Sequence, residues 1–390
     1  MELKETNSAS KAAFLISSFQ NRFLEVRATF HPNNLPGEIA GKSSNVAFAA
    51  REMFKHHRLD ENRGNIIITV IDSDTHLLQD YFTEIRRLHH KPDSSRALYV
   101  CPIIFDRNAH ETPLLVRVAD ILWGGAGLAG YLPWAPIHIP TSVYSLPLGL
   151  AESVGGWDGD PTAIGEDMHM LLKAYFNSHG SLVTVPVYSP ASQCNISSTR
   201  PRGCFRTFDT LRARYSQALR HMWGSLDTGY AVRRMVQMEW FRLSHLSLCH
   251  LLWEAHMLPL HFILILVASA LYTLVVPSRH IHPLLHWTFW LMAVLRNASF
   301  VVMQVAFSLY DSYHALCVST RAKDMEKTHI TEMFAYRNPI HWKYLAERVL
   351  FPIVGILYSA VPALHAQVCH FWTDRLVYRV SFKPVIAQEV

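Results

Sequence analysis

Two carboxylates one residue apart, Asp72-Ser73-Asp74, follow at once on the run Ile66-Ile67-Ile68-Thr69-Val70-Ile71. A continuous β-branched run of this kind suits a strand buried on both faces of a parallel sheet. Open parallel sheets place their ligands at the carboxyl ends of the strands. Acid oxygens on a turn there can converge on one centre. Hard cations such as Mg²⁺ or Mn²⁺ take oxygen ligands and bridge to substrate phosphates. On an isolated loop the same pair would read as a solvated Asx turn. Directly after such a strand it reads as a metal site, with Asp72 and Asp74 as ligands.

Two further groups have suitable types and spacing. Gly165-Glu166-Asp167 follows Gly155-Gly156-Trp157 through a turn-rich loop and opens a helix. Acidic residues at a helix start are favoured by the dipole alone. A carboxylate there can also take a proton from an acceptor hydroxyl. Gln217 and Arg220 lie three apart, hence on one helical face, with Arg214 and Trp223 near. An arginine fork suits phosphate, and an indole ring offers a platform for a sugar. The plainer alternative for this group is a basic helix face on a membrane surface.

The elements that must position these groups alternate between strand and helix, which argues an α/β layered domain. Strands are expected at residues 24–30, 65–71, 97–105 and 181–188. Helices are expected from Ser43 or Ser44 to His57, at 77–90, at 114–130 and after Ile164. Residues 205–250 read as helical and amphipathic, with arginines and aromatics interleaved, as in helices that lie in a membrane interface. Three apolar segments then have the length of spans: 257–276, 284–310 and 349–372. The expected division is a catalytic domain over 1–224, interfacial helices over 225–256, a transmembrane region over 257–372 and a tail over 373–390.

Composition agrees with a soluble part followed by a membrane part. Hydrophobic residues make up 50% and charged residues 17%, below the quarter or so usual for soluble proteins. The net charge of +5 is weak and dispersed and does not point to nucleic acid. Six cysteines without a C-x-x-C pair argue against a disulfide scaffold or zinc ribbon. The polar first twelve residues do not read as a secretory signal peptide. Gly125-Ala126-Gly127-Leu128-Ala129-Gly130 fits a dinucleotide fingerprint in form, but it follows a helical pattern and reads as a close-packing segment. Asn195 and Asn297 head glycosylation sequons; neither is expected to be used, the first because it would face the cytosol, the second because it lies in a span.

The order of the motifs resembles glycosyltransferase family 2. A strand ending in Asp-x-Asp precedes Gly-Glu-Asp, then Gln-x-x-Arg, then membrane spans. The match is to the polymerising branch that includes cellulose, chitin and hyaluronan synthases, and the wording is closest to fungal type 2 glycosyltransferases of the hyphal surface. Gly41-Lys42 with Asn45 looks like the family's Gly-Lys…Asn helix start. The resemblance implies a GT-A, Rossmann-like catalytic domain and inverting transfer from a nucleotide-sugar to a carbohydrate or lipid acceptor. By the same resemblance Asp72 faces the donor's ribose and diphosphate and Asp74 binds a divalent metal, Mn²⁺ or Mg²⁺. Asp167 acts as general base with Glu166 beside it, Gln217 and Arg220 hold the diphosphate, and Lys42 lies near the nucleotide. Trp157 and Trp223 are the acceptor-side aromatics. A multi-pass protein with a cytosolic catalytic domain, in the plasma membrane, is implied.

The sequence departs from the pattern in three places. His221 stands after Arg220, where the family has Trp. No Asp-bearing strand precedes Lys42, so the resemblance implies a domain that lacks its first strands. The N-terminal spans common in this branch are also absent. Residues Tyr378 to Lys383 resemble the gating loop of cellulose synthases, which is cytosolic. Arg375, Arg379 and Lys383 agree with a cytosolic tail; three spans would place it on the opposite side.

Overall fold

The computed structural model describes all residues except 2, 4–6, 33–34, 40, 59–62, 132–134, 202, 329–341 and 377–390. The gating-loop-like segment therefore lies outside the described residues.

The strands are β1 (Ile67–Val70), β2 (His76–Leu77), β3 (Ala97–Val100), β4 (Ile103–Phe105), β5 (Tyr144–Pro147), β6 (Val183–Pro186) and β7 (Ala191–Gln193). They form a four-stranded sheet of order β1-β5-β3-β6 and a three-stranded sheet of order β2-β7-β4. β3 runs parallel to β6, and β4 parallel to β7. β5 runs antiparallel to both β1 and β3.

Two expectations are corrected here. β1 is not buried on both faces of a parallel sheet: it ends the strand order, pairs antiparallel with β5 and is only partly buried before Val70. β-branched residues report a fit to a pleated surface, not the identity or direction of the neighbouring strand. Residues 24–30 form no strand. The chain there has no regular secondary structure, and His31 exchanges backbone hydrogen bonds with Met1 and Leu3. Extended propensity makes a strand only where a partner completes the ladder. The single strand expected over 97–105 is divided. Pro102 has no N–H to donate, and the chain leaves one sheet after Val100 to enter the other at Ile103.

Helices cover the larger sheet on both faces. Leu98 and Val100 point to one side, where they pack with Ala47 and Ala50 of α2 (Lys42–His56) and Met170 to Leu172 of a later helix, Glu166–Asn177. Ala97 and Tyr99 point to the other side and pack on Tyr81 and Ile85 of α3 (Gln79–His89). The period of two along β3 thus splits its side chains between two cores. Numbering α1 (Ser8–Phe19), α4 (Leu114–Ala129) and α5 (Leu148–Ser153) in chain order, Glu166–Asn177 is α6. α7 (Cys204–Trp223), α8 (Ser225–Gln237) and α9 (Ser244–Leu252) follow. α7 continues without a break through the expected Gln-x-x-Arg face.

The chain ends in α10 (Leu258–Val275), α11 (Pro283–Thr328), α12 (Trp342–Gly355) and α13 (Val361–Cys369). A π-helical turn at Trp253–Met257 joins α9 to α10, and another at Ile356–Ala360 joins α12 to α13. Three continuous helices are long and apolar enough to cross a membrane, over Ser244–Val275, Pro283–Lys327 and Tyr344–Cys369. They mark a membrane protein.

This region is fastened to the sheets through α4. Ile104, Val118, Ile121, Phe307, Tyr310 and Val354 share one buried cluster. Two buried ion pairs add to it, Arg117 to Glu347 at 2.6 Å and Arg321 to Asp106 at 2.8 Å, and a third, Arg214 to Asp120 at 2.8 Å, ties α7 to α4. The close approach of helices falls at Gly124, where an added Cβ would lie 2.8 Å from the Tyr310 ring and 2.9 Å from the Ile103 carbonyl oxygen. The expected close-packing segment begins one residue later, but an added Cβ at Gly125 or Gly127 meets open space. Helical phase decides which face a glycine occupies, and the spacing alone does not show what that face meets.

Candidate functional site

Lys42, at the first position of α2, reaches across to the end of β1. Its Nζ lies 2.9 Å from Asp72 Oδ1 and 3.1 Å from Glu166 Oε1, and it donates to the Ser142 carbonyl at 3.3 Å. Three segments far apart in sequence thus meet at one ammonium group. The backbone explains the meeting. Ser44 Oγ donates to the Gly41 carbonyl at 3.2 Å, closing the turn that starts α2. Ser43 Oγ donates to Ile164 O at 3.4 Å, tying that turn to the start of α6. The serines expected to cap α2 therefore bind carbonyls instead of the helix's own N–H groups.

Asp74 follows Asp72 on a turn held at several points. Arg107 donates to the Asp74 carbonyl at 2.8 Å, and the Cys194 N–H donates to Asp74 Oδ2 at 3.3 Å. Gln193 Nε2 reaches both Thr75 Oγ1 at 2.9 Å and Ser142 Oγ at 2.8 Å. Ser142 therefore touches Lys42 through its carbonyl, and its hydroxyl is linked through Gln193 to Thr75 beside Asp74. Asp72 and Asp74 supply two oxygen-donor side chains. Among the described residues no group of three or more His, Cys, Asp or Glu side chains is arranged to hold a metal. The donor set fits a hard cation completed by phosphate oxygens, which is how Mg²⁺ is commonly held.

Glu166 and Asp167 open α6. Burial raises the Glu166 carboxyl to about 8, although Lys42 pulls it down. Burial likewise holds Asp167 above the usual carboxylate range, against the attraction of Lys42. Asp167 Oδ1 accepts the Met168 N–H at 2.8 Å. For Lys42, burial disfavours the charge, but Glu166, Asp72 and Asp167 outweigh it, and the ammonium is held well above its ordinary value. The site is thus a cation among carboxylates, of which Glu166 and Asp167 hold their protons above the usual range.

Behind α6 lies a network that spacing did not single out. His169 is buried between two acids: Nδ1 is 2.7 Å from Asp227 Oδ1 and Nε2 is 3.1 Å from Asp158 Oδ2. Lys173 Nζ holds Asp158 Oδ1 at 2.7 Å. Burial lowers the imidazole's proton affinity, but the two carboxylates prevail and raise it to about 9. His169 stands three residues after Glu166 on the same helix face, so the helical period could have found it. Asp158 and Asp227 come from other segments and carried no local signal.

Gly165 occupies the close point of this network. An added Cβ would lie 2.7 Å from Asp227 Oδ2, an oxygen that is buried and without a hydrogen-bond partner among the described residues. Gly165→Ala is expected to displace the Asp227 carboxylate, strain its bond to His169 and cost about 1–3 kcal/mol. Chemical denaturation of the variant in detergent checks this; unchanged stability would show that α8 yields without cost.

Gln217 and Arg220 lie one turn apart on α7, as their spacing requires. Gln217 Oε1 is buried without a hydrogen-bond partner among the described residues. His221, at the position where the family pattern has Trp, stacks on Trp123 with ring centroids 4.3 Å apart. Both tryptophans named for the acceptor are buried. The Trp157 indole N–H donates to Tyr144 Oη at 2.6 Å, and that of Trp223 to the Asp374 carbonyl at 3.1 Å. Asn195 of the first sequon is also buried, and its Nδ2 donates to Asp120 at 2.6 Å.

Residues 67–301 match the family model described as Glycosyl transferase family group 2. The matched stretch runs from β1 into α11 and contains every candidate site residue except Lys42. No curated protein matches the chain.

Proposed function

The chain belongs to glycosyl transferase family group 2, and from that premise we propose that it is an inverting transferase using the Lys42, Asp72 and Glu166–Asp167 cluster as its active site. Mixed sheets flanked by helices fit a GT-A-like domain. The observation that carries the reading is the single ammonium group of Lys42, which draws the end of β1 and the start of α6 together.

In this reading an acceptor hydroxyl oxygen attacks the anomeric carbon of a nucleotide-sugar. The bond to the diphosphate oxygen breaks, its electron pair leaves with the nucleoside diphosphate, and Asp167 takes the hydroxyl proton. A base whose proton affinity is raised toward the working pH is suited to that transfer. Glu166 and Lys42 hold each other beside it. Gln217 and Arg220 supply donors for the diphosphate, for which the guanidinium fork is suited. Asp74, with Asp72, would hold a divalent ion, which when bound neutralises charge on the departing diphosphate.

The proposed acceptor is the end of a cell-surface or cell-wall polysaccharide, made by a cytosolic domain at the plasma membrane, as the resemblance to the polymerising, fungal-type branch suggests. Transfer to a lipid or a secondary metabolite is the second reading, and the apolar helices packed on the domain favour a lipid. Membranes carrying the protein, incubated with radiolabelled nucleotide-sugars, separate the two. Insoluble polymer supports the first and lipid-soluble product the second. No turnover with any donor would count against both and favour a non-catalytic membrane subunit.

The metal assignment has its own check. Asp74→Ala is expected to abolish the Mn²⁺-dependent part of nucleoside diphosphate binding measured by calorimetry. Equal metal-dependent affinity in the variant would remove Asp74 from the role.

A further inference from the structure

α11 is longer than a crossing requires. Its 46 residues cover roughly 69 Å at about 1.5 Å per residue, against a hydrocarbon core of about 30 Å. Its two halves differ. Along the first, Leu284, Trp287, Leu291, Val294, Val301 and Val305 are exposed. Along the second, Phe307, Tyr310, His314, Cys317, Arg321 and Met325 are buried. These recur every three or four residues and so share one face. That face packs on the sheet-bearing domain. Ile104 of β4 lies in one cluster with Phe307, Tyr310 and Cys317, and Tyr310 Oη accepts the Phe105 N–H at 3.0 Å.

β4 in turn leads to Asp74. Arg321 is 1% exposed and directs two N–H groups at Asp106 Oδ2, at 2.8 and 3.3 Å. The other carboxylate oxygen, Asp106 Oδ1, accepts from Ser192 Oγ of β7 at 2.5 Å. Two short paths run on from this group. Arg107, the next residue, donates its backbone N–H to the Gln193 carbonyl at 3.2 Å and a side-chain N–H to the Asp74 carbonyl at 2.8 Å. Cys194, two residues after Ser192, donates its N–H to Asp74 Oδ2 at 3.3 Å. On the far side of the turn, His76 of β2 stands opposite Ser192 in the ladder. Asp324 Oδ2, one turn after Arg321, lies 3.9 Å from His76 Nε2. The backbone on both sides of Asp74 is thus tied to strands that α11 holds.

A buried ion pair often adds little stability over apolar residues of the same volume. It does add direction, since a guanidinium fork fixes the orientation of the carboxylate it binds. Asp106 can orient Arg107 and Ser192 only while its own carboxylate is held. We propose that Arg321 of α11 is a positioning residue for the Asp74 turn, acting through Asp106 and the sheet β2-β7-β4, so that a helix with an exposed apolar half holds a metal ligand in place. The proposal rests on the reading of Asp72 and Asp74 as metal ligands.

Two measurements on the full chain in detergent test it. The first is Mn²⁺ binding, followed by the spin resonance of free Mn²⁺ in the presence of UDP, GDP or ADP. Groups that hold a metal ligand in place contribute about 10–100-fold in metal affinity. Arg321 acts at one remove, so Arg321→Met is expected to weaken Mn²⁺ binding by about tenfold, with metal-free nucleotide binding unchanged. The second is hydrogen exchange, expected to quicken over 73–77, 104–107 and 191–194 but not in α2 or α6. Parental Mn²⁺ affinity, or exchange that quickens equally in α2 and α6, would overturn the proposal. The control is Arg117→Met with Glu347→Gln, which removes the other buried pair that ties the apolar helices to α4. An equal loss of Mn²⁺ affinity there would make Arg321 a general structural group and also overturn it. Should Arg321→Met not fold, Ser192→Ala decides, because it leaves the charged pair intact and removes only its link to the strand leading to Cys194. It is expected to weaken Mn²⁺ binding and quicken exchange over 191–194, and parental behaviour in both would overturn the proposal. Absence of Mn²⁺-dependent binding in the parent chain would instead sink the metal reading, while exchange alone still decides whether α11 holds the turn.

Discussion

Asp167→Asn is expected to lower turnover by about 10²–10⁴-fold, the usual contribution of a positioned general base. At 1.36 kcal/mol per tenfold this is roughly 3–5.5 kcal/mol of barrier. Asparagine keeps the shape and can still accept the Met168 N–H, but it cannot take the acceptor's proton. Donor affinity should change little, so the loss falls in kcat. The pH dependence gives a second readout. Burial holds the Asp167 carboxyl above its ordinary value, and only the ionised form is a base. Turnover of the parent enzyme should therefore rise with pH along a limb placed above the usual carboxylate range, and the variant should lose that limb. An Asp serving only as the start of α6 predicts the opposite, because Asn is also a good residue at a helix start. Near-parental turnover with an unshifted pH profile would end the assignment.

Lys42→Met is expected to cost stability and donor binding together. The change leaves Asp72, Glu166 and Asp167 facing one another without the ammonium group between them. Removing one partner of a buried pair costs about 3–5 kcal/mol; Lys42 and Asp72 are partly solvated, so the lower end of that range applies. The pH dependence follows from Glu166. Its proton affinity in the folded protein is raised to about 8 from an ordinary 4.5. A raised carboxyl contributes stability that is fully present below the unfolded value and is lost as pH rises through the folded one. Losing Lys42 raises Glu166 further, so the variant's stability should fall more steeply toward alkaline pH. Lys42→Met combined with Glu166→Gln should recover much of the stability, because the carboxylate that lost its partner is gone, yet donor affinity should remain lost. Melting temperature against pH and calorimetry with a nucleoside diphosphate measure the two effects. Full recovery of donor affinity in the double variant would make Lys42 a structural group only.

The chemistry-bearing segments were legible because their signals are local. Asp72-Ser73-Asp74 after a β-branched run, acids opening α6, and a Gln and an Arg one helical turn apart all depend on spacing along one element. Hydropathy over some twenty residues was likewise enough to mark three long apolar helices, since bilayer thickness is a length constraint that a sequence window can register. Helix existence followed for the same reason, with α2, α3, α4 and α6 close to their expected bounds.

What decided the rest was contact between segments distant in sequence. The antiparallel approach of β5 made β1 a partly buried end strand, which its own residues could not specify. No ladder partner turned 24–30 into a strand. Lys42 became the centre of the carboxylate cluster only because α2, β1 and α6 start or end at one place. His169 acquired two acids, from residues 158 and 227, that no periodicity links. The same holds for the third apolar helix. Its hydropathy is that of a span, and Glu347 against Arg117, Phe351 against Phe300 and Gln367 against His256 show what it packs on. The sequence by itself determined which residues could do chemistry and which helices lipid could cover, because those depend on residue type and short-range period. Only the tertiary structure decided which charges meet, which strands pair and what an apolar helix packs on, because those depend on where the chain returns in space.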